Sequence, residues 1–414
     1  MLKLDNIGFY TLREDRVKQA GKESPLWRCE LILTDKCNFR CTYCKGIREE
    51  LKGDIELRLA KEVIDMWSTE GLRNIRFSGG EPTLYPYLED LVKYAKYKGI
   101  ERVALSTNGS VSLDYYKKLI KLGVDDFSIS LDACCVDFGN KMAGVEGVWE
   151  KVVRNIEELA KYVYVTVGIV INEDNIEEIE GIIELADSLG VSDIRVITAA
   201  QYNKLWNKDY IVESEKLNKY PILRYRIENI RGGRDVRGLK ETDSRRCYLV
   251  LDDMAVAGKY HFPCIIYLRE GGDYIGRIDN NLVREDRYKW FINHNSWKDY
   301  ICRYNCLDVC IDYNNKYERY KIEKESIIPR ISSMEFDFSK WREGSIHEFF
   351  IPCRYEEVTK GNNREFLRYK AVGWNFSELI PCRPKVNHIA VMFYNKERHF
   401  WFHLRSNEFV EIFC

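Results

Sequence analysis

The chain has 414 residues, 45% of them hydrophobic, enough for two or three domains and a sizeable core. Lys+Arg total 64 against 65 Asp+Glu, so the formal charge of -1 provides no global field to recruit nucleic acid or an anionic membrane. The opening "MLKLDNIGFYTLREDR" carries charges where a signal peptide needs an apolar core, and no apolar run approaches bilayer length. The protein therefore reads as cytoplasmic, and its 14 cysteines as metal or redox residues rather than disulfides.

From about residue 30 to 200, strand-like and helix-like stretches alternate. "CELILTD" leads into a cysteine loop and the helical period of "LRLAKEVIDMWSTEG". "NIRFSGG", "RVALSTNG", "DFSISLD", "VYVTVGIVIN" and "DIRVITA" follow as strands, each of the first four trailed by an amphipathic helix. Six short apolar strands in this rhythm predict a parallel α/β sheet or an incomplete barrel, with the ligand site at the strand C-terminal ends. Cys37, Gly79, Asn108, Asp132 and Asn172 all fall there.

The pattern sets the expected domains. Residues 1–29 are an N-terminal extension, 30–203 the α/β barrel, 204–246 a basic connector containing "RGGRDVRG", and 247–315 a cysteine-rich segment. "NNKYERYKIEKESIIPR" reads as a solvated connector. Residues 332–414 are aromatic and strand-like, a small β-rich domain in which "HIAVMFY-NKER-HFWFHLR" has the form of a hairpin. Its aromatic density suits a lobe that buries an apolar face or presents it to substrate.

"DKCNFRCTYCKG" places Cys37, Cys41 and Cys44 as C-x3-C-x2-C, one thiol short of a tetrahedral site. "SGGEP" (Ser78 to Pro82), "STNG" and "SLD" follow the next three strands. Together these motifs resemble the radical SAM superfamily over roughly residues 28–200. The resemblance implies a partial (β/α)6 TIM-type barrel in which the three cysteines hold a [4Fe–4S] cluster and S-adenosyl-L-methionine takes the fourth iron. It implies reductive cleavage to a 5′-deoxyadenosyl radical that abstracts a substrate hydrogen, and an external electron donor such as flavodoxin or ferredoxin. Gly79, Gly80 and Glu81 would meet the methionine amine, Asn108 and Ser130 the ribose and carboxylate, and Tyr43 the adenine. The competing reading is a zinc site with a distant fourth ligand, which leaves "SGGEP" unexplained.

A second set, Cys247, Cys264, Cys302, Cys306 and Cys310, with Gly258 shortly before Cys264, is similar to the twitch or SPASM extension of this superfamily. That likeness implies one auxiliary [4Fe–4S] cluster, with five candidates for four ligands. Cys134 and Cys135 follow "SLD" at a strand end, where a thiol is placed to return a hydrogen atom to a substrate radical; packing is the alternative.

Substrate class is the open choice. The first motifs also resemble the GTP-cyclising enzymes of molybdenum-cofactor synthesis, but those enzymes' second cluster uses a close C-x2-C pair where Cys247 and Cys264 are far apart here, and their terminal double glycine is missing. A peptide or protein side chain ranks first and a sugar, nucleotide or other small metabolite second, although no leader-binding domain precedes residue 30. In a different class stands a zinc-stabilised interaction protein.

Overall fold

The computed structural model describes residues 14–199 and 214–332, together with six strands between Tyr355 and Ile412. They fall into two compact units divided between Tyr317 and Glu318.

The first unit is built on β1 (Arg28–Thr34), β2 (Asn74–Gly79), β3 (Arg102–Thr107), β4 (Asp126–Ser130), β5 (Tyr164–Ile171) and β6 (Asp193–Thr198). All five pairings among them are parallel. The strands are buried almost throughout, as sheets covered by helices require. After the short α1 (Glu14–Lys18), the connecting helices are α2 (Leu57–Ser68), α3 (Leu88–Tyr97), α4 (Leu113–Leu122), α5 (Val136–Ala143), α6 (Trp149–Ala160) and α7 (Ile179–Ser188). Each of α2 to α7 turns one stripe inward; α2 buries Leu59, Ala60, Val63, Ile64 and Trp67, spaced one helical turn apart. The result is the α/β partial barrel of the sequence reading.

Both supposed connectors are structured. Within 204–246, α8 (Ser214–Lys219) and α9 (Pro221–Arg231) complete the barrel core, and α9 packs Ile222, Leu223, Ile227 and Ile230 inward against β6. Asp193, at the start of β6, accepts the Ile222 N–H at 3.2 Å. Pro221 opens the helix where a missing N–H costs nothing. Apolar periodicity in "PILRYRIENI" thus outweighs the basic composition that suggested a linker.

The cysteine-rich segment joins the same sheet. β7 (Asp253–Ala257) pairs in parallel with β1, Arg28 opposite Asp253, and β8 (Tyr260–Phe262) and β9 (Gly276–Arg277) extend it antiparallel. The sheet order is β6-β5-β4-β3-β2-β1-β7-β8-β9. Helices α10 (Ile265–Arg269), α11 (Val283–Asn293), α12 (Tyr300–Asn305) and α13 (Asp308–Ser332) follow. The stretch read as a solvated connector, residues 314–330, lies within α13, and its Asn314 and Tyr320 are buried. The Tyr313 hydroxyl donates to Asp252 at 3.0 Å, and Arg16 of α1 donates to the same carboxylate at 2.8 Å.

The second unit carries an antiparallel sheet of β10 (Tyr355–Lys360), β11 (Leu367–Ala371), β12 (Trp374–Cys382), β13 (His388–Tyr394), β14 (His399–His403) and β15 (Glu408–Ile412) in sequential order. The expected hairpin is β13–β14, with Tyr394 opposite His399. "EFDFSKW" and "HEFF" lie outside the described residues.

Candidate active site

A cavity of about 470 Å³ opens at the C-terminal ends of the barrel strands. Cys37, Cys41 and Cys44 line it, on the loop that leaves β1. The Phe39 N–H donates to Cys37 Sγ at 3.4 Å, and the Gly46 N–H to Cys44 Sγ at 3.3 Å. Burial pushes the Cys41 thiol up to about 12 and raises Cys37, with Asp132, Glu81 and the neighbouring thiols adding to it. Three soft thiols, two of them already accepting peptide N–H groups, fit three irons of a [4Fe–4S] cluster and leave a fourth iron for another ligand.

The glycine-rich turn lies against the root of this loop. Gly79 sits at φ +147°, and a Cβ there would lie 2.4 Å from the Thr34 carbonyl oxygen. At Gly80 a Cβ would lie 2.3 Å from Lys36 O and 2.5 Å from Asp35 O. The Gly80 and Glu81 N–H groups donate across this crossing, each at 2.8 Å, to Thr34 O and Lys36 O. The glycines are thus demanded first by the close approach of two backbones, and both still line the cavity.

Glu81 departs from the expectation. Its carboxylate is fully buried and accepts from Thr83 N–H and hydroxyl, the Thr107 hydroxyl and the Asn108 N–H, at 3.1, 2.6, 2.7 and 2.7 Å. With those lone pairs engaged it ties the β2 turn to the β3 turn instead of reaching into the cavity. Asn108 and Ser130 do line the cavity, and Asn108 Nδ2 donates to Asn38 Oδ1 at 2.8 Å within the cysteine loop. Tyr43 also lines it, with its hydroxyl donated to Asp132 Oδ2 at 2.5 Å.

The five later cysteines converge. Cys264 and Cys310 line the large cavity, whereas Cys247, Cys302 and Cys306 line a small one behind. Burial pushes Cys247 up to about 12 and raises Cys264 and Cys302, each thiol also feeling others of the set; Cys306 is raised first by its hydrogen bond with Cys310. Cys264 Sγ accepts the Tyr267 N–H at 3.4 Å, and Cys302 Sγ lies 3.5 Å from His294 Nε2. This donor set also suits a soft-metal centre.

Neither Cys134 nor Cys135 lines the cavity, contrary to expectation. The Cys134 thiol turns away to donate to Glu178 Oε2 at 3.0 Å; burial, and after it this bond, raise it to about 11. Cys135 is exposed at the head of α5. Ala133, directly before them, does line the cavity.

Sequence reasoning passed over the charged wall. Arg28, Arg195, Arg226, Arg237 and Arg269 line the cavity, with Glu30, Asp253 and Glu270 among the acids beside them. Arg28 and Arg226 have carboxylate partners in Asp253 and Asp308. Arg195 Nη2 donates to the neutral Ser128 Oγ at 3.1 Å, and its Nε is buried without an acceptor. Burial, reinforced by Arg76, lowers Arg195 to about 10, still charged at neutral pH. The signal was present: "DIRVITA" sets an arginine inside a strand otherwise apolar over most of its length, where a covered parallel strand has no use for charge.

The cysteine loop and the turn after β2 meet at the C-terminal ends of neighbouring parallel strands of the barrel. Residues 31–186 match the family described as the radical SAM superfamily. That family implies a [4Fe–4S] cluster and S-adenosyl-L-methionine as cofactors. A probable GTP 3',8-cyclase of Saccharolobus solfataricus is 36% identical over 179 residues, which are 42% of this chain and 57% of that protein. The Fe-coproporphyrin III synthase of Methanosarcina barkeri is 28% identical over 191 residues, 44% of this chain and 47% of its own. The chain thus spans about half the length of the curated relatives it matches. Among solved structures, Streptococcus suis SuiB bound to precursor peptide SuiA gives a TM-score of 0.47 at 13% identity over 64% of each chain. The native anSMEcpe with bound AdoMet gives 0.47 at 18% identity, over 73% of this chain and 97% of that one. Among the described residues no helix is long and apolar enough to cross a membrane.

Proposed function

We propose that the chain is a radical SAM enzyme acting on a small anionic metabolite, in first place a nucleotide, and not on a peptide side chain. The order of the two substrate readings from the sequence is thereby reversed. The observation that carries it is Arg195, a half-buried cation on the cavity wall with a neutral hydroxyl acceptor and a buried Nε without one. Glu30 on the same wall offsets part of this charge, and the Nε that lacks an acceptor leaves the guanidinium able to match phosphate or carboxylate in a two-pronged contact. The relatives named as probable GTP cyclases, matching over the same barrel, support the nucleotide class.

When bound, the cluster and S-adenosylmethionine supply a 5′-deoxyadenosyl radical able to abstract hydrogen. The chain's own part is to hold and orient. Cys37, Cys41 and Cys44 take the irons, the Gly79–Gly80 turn and Asn108 and Ser130 face the cosubstrate, and Arg195 anchors the anionic substrate across the cavity. Four of Cys247, Cys264, Cys302, Cys306 and Cys310 would hold an auxiliary cluster, and an external reductant would deliver the electron.

The test is anaerobic reconstitution, dithionite reduction and quantitation of 5′-deoxyadenosine with GTP, other nucleoside triphosphates, or peptides added. Nucleotides are expected to stimulate coupled turnover, and Arg195→Gln to raise the KM for them about a hundredfold while substrate-free cleavage persists. Stimulation by peptides and by no nucleotide, or an unchanged KM, would overturn the reading.

A further inference from the structure

The helix that begins at Cys264 ends on the turn expected to bind S-adenosylmethionine. Cys264 caps α10, its Sγ accepting the Tyr267 N–H at 3.4 Å. The last residue of that helix, Arg269, donates through Nη2 to the Gly79 carbonyl at 2.8 Å and through Nη1 to the Gly46 carbonyl at 3.3 Å. One guanidinium thus joins the glycine-rich turn to the cysteine loop, two residues beyond Cys44. The next two residues repeat the attachment. Glu270 pairs with Lys45 at 2.5 Å, and the Gly271 carbonyl accepts Arg48 Nη1 at 3.2 Å. Arg48 in turn lies over the Phe262 ring at 5.5 Å, on β8 just before Cys264.

A planar fork of fixed geometry sets the spacing of the two carbonyls it bridges, which a flexible ammonium does not. Each carbonyl keeps a second lone pair, so Gly79 O remains able to accept from a ligand. A turn held at the right separation from the cluster loop loses less entropy when S-adenosylmethionine bridges the two.

We infer that Arg269 is a positioning residue for S-adenosylmethionine, acting through Gly79 and Gly46, and that it makes S-adenosylmethionine affinity depend on how Cys264 is held. The dependence on Cys264 rests on the proposed auxiliary centre; the positioning role does not. Linkage then works in both directions: S-adenosylmethionine binding also retards iron loss from the Cys264 set.

The test is the equilibrium dissociation constant of S-adenosylmethionine on the reconstituted full chain, with iron counted on the same samples. Arg269→Ala is expected to weaken binding on the order of tenfold at an unchanged iron count for the first site, and Arg269→Lys to restore part of it. Cys264→Ser is expected to weaken binding as well, with no further loss in the double variant. An affinity unchanged in Arg269→Ala, or equal losses in Ala and Lys accompanied by first-site iron loss, overturns the positioning role. Additive losses overturn the coupling. If the wild type holds no iron beyond the first cluster, the auxiliary centre fails as a reading, while the Arg269 comparison still decides the positioning role.

Discussion

The Tyr43 hydroxyl donates to Asp132 Oδ2 at 2.5 Å, joining the cysteine loop to the end of β4. Asp132 Oδ1 accepts the Val170 N–H of β5 at 2.7 Å, so one half-buried carboxyl spans three elements around the cavity. Burial raises Tyr43 well above the usual phenol range, with Asp132 adding to it, and the hydroxyl therefore donates at any physiological pH. Tyr43→Phe is expected to cost about 1–3 kcal/mol in denaturant unfolding of the apoprotein and to speed iron loss to a chelator. Unchanged stability and unchanged iron release would show that the loop is held elsewhere.

Gly80→Ala tests the crossing of the turn over residues 34–36. The added methyl would lie 2.3 Å from Lys36 O and 2.5 Å from Asp35 O, both backbone atoms directly before Cys37. Neither can swing aside as a side chain can. The variant is therefore expected to lose iron from the first cluster as well as affinity for S-adenosylmethionine. Wild-type iron with weakened binding alone would mean that the turn yields and the cysteine loop does not.

How much of this was legible in the sequence depended on which physical signal each residue carried. Short apolar runs alternating with period-3.6 stretches named all six barrel strands, and the spacing of Cys37, Cys41 and Cys44 placed the first site. Glu81 was misjudged because a motif records which residue is present and not which way it faces; its partners Thr83, Thr107 and Asn108 come from two separate turns. The 214–231 helices were masked by basic composition although their apolar spacing was intact. Arg269 had no local signal at all, since its acceptors Gly46 and Gly79 are roughly two hundred residues away.

Cys134→Ser separates a thiol near the site from one in it. The Cys134 thiol donates to Glu178 at 3.0 Å, and a hydroxyl can make the same bond. Stability is expected to stay within about 1 kcal/mol and substrate turnover to remain at the wild-type rate. A large loss of turnover, with cleavage of S-adenosylmethionine intact, would restore Cys134 as a hydrogen donor.

Every candidate ligand cysteine precedes Tyr317, inside the first compact unit. Truncation after Ser332 keeps α13 whole and removes the second sheet. The 1–332 chain is expected to fold, to bind as much iron per chain as the full protein, and to cleave S-adenosylmethionine on reduction. An insoluble or iron-free product would show that the first unit depends on the second.

Asp193 offers a pH test away from the metal ligands. It is fully buried at the start of β6, and burial raises it to about 6 despite the Ile194 and Ile222 N–H groups that it accepts. An acid whose folded value lies above its ordinary 3.8 binds more protons in the folded state than in the unfolded one. Its contribution is thus most favourable below about pH 4, falls as pH rises through 6, and is level above that. The amide introduced by Asp193→Asn does not titrate, so the stability of this variant relative to wild type should rise between about pH 4 and 6, by ~3 kcal/mol at most. Denaturant titrations of both proteins at intervals across that range measure the difference directly. A flat difference would mean that Asp193 is ionised in the folded protein throughout, with its N–H donors outweighing burial.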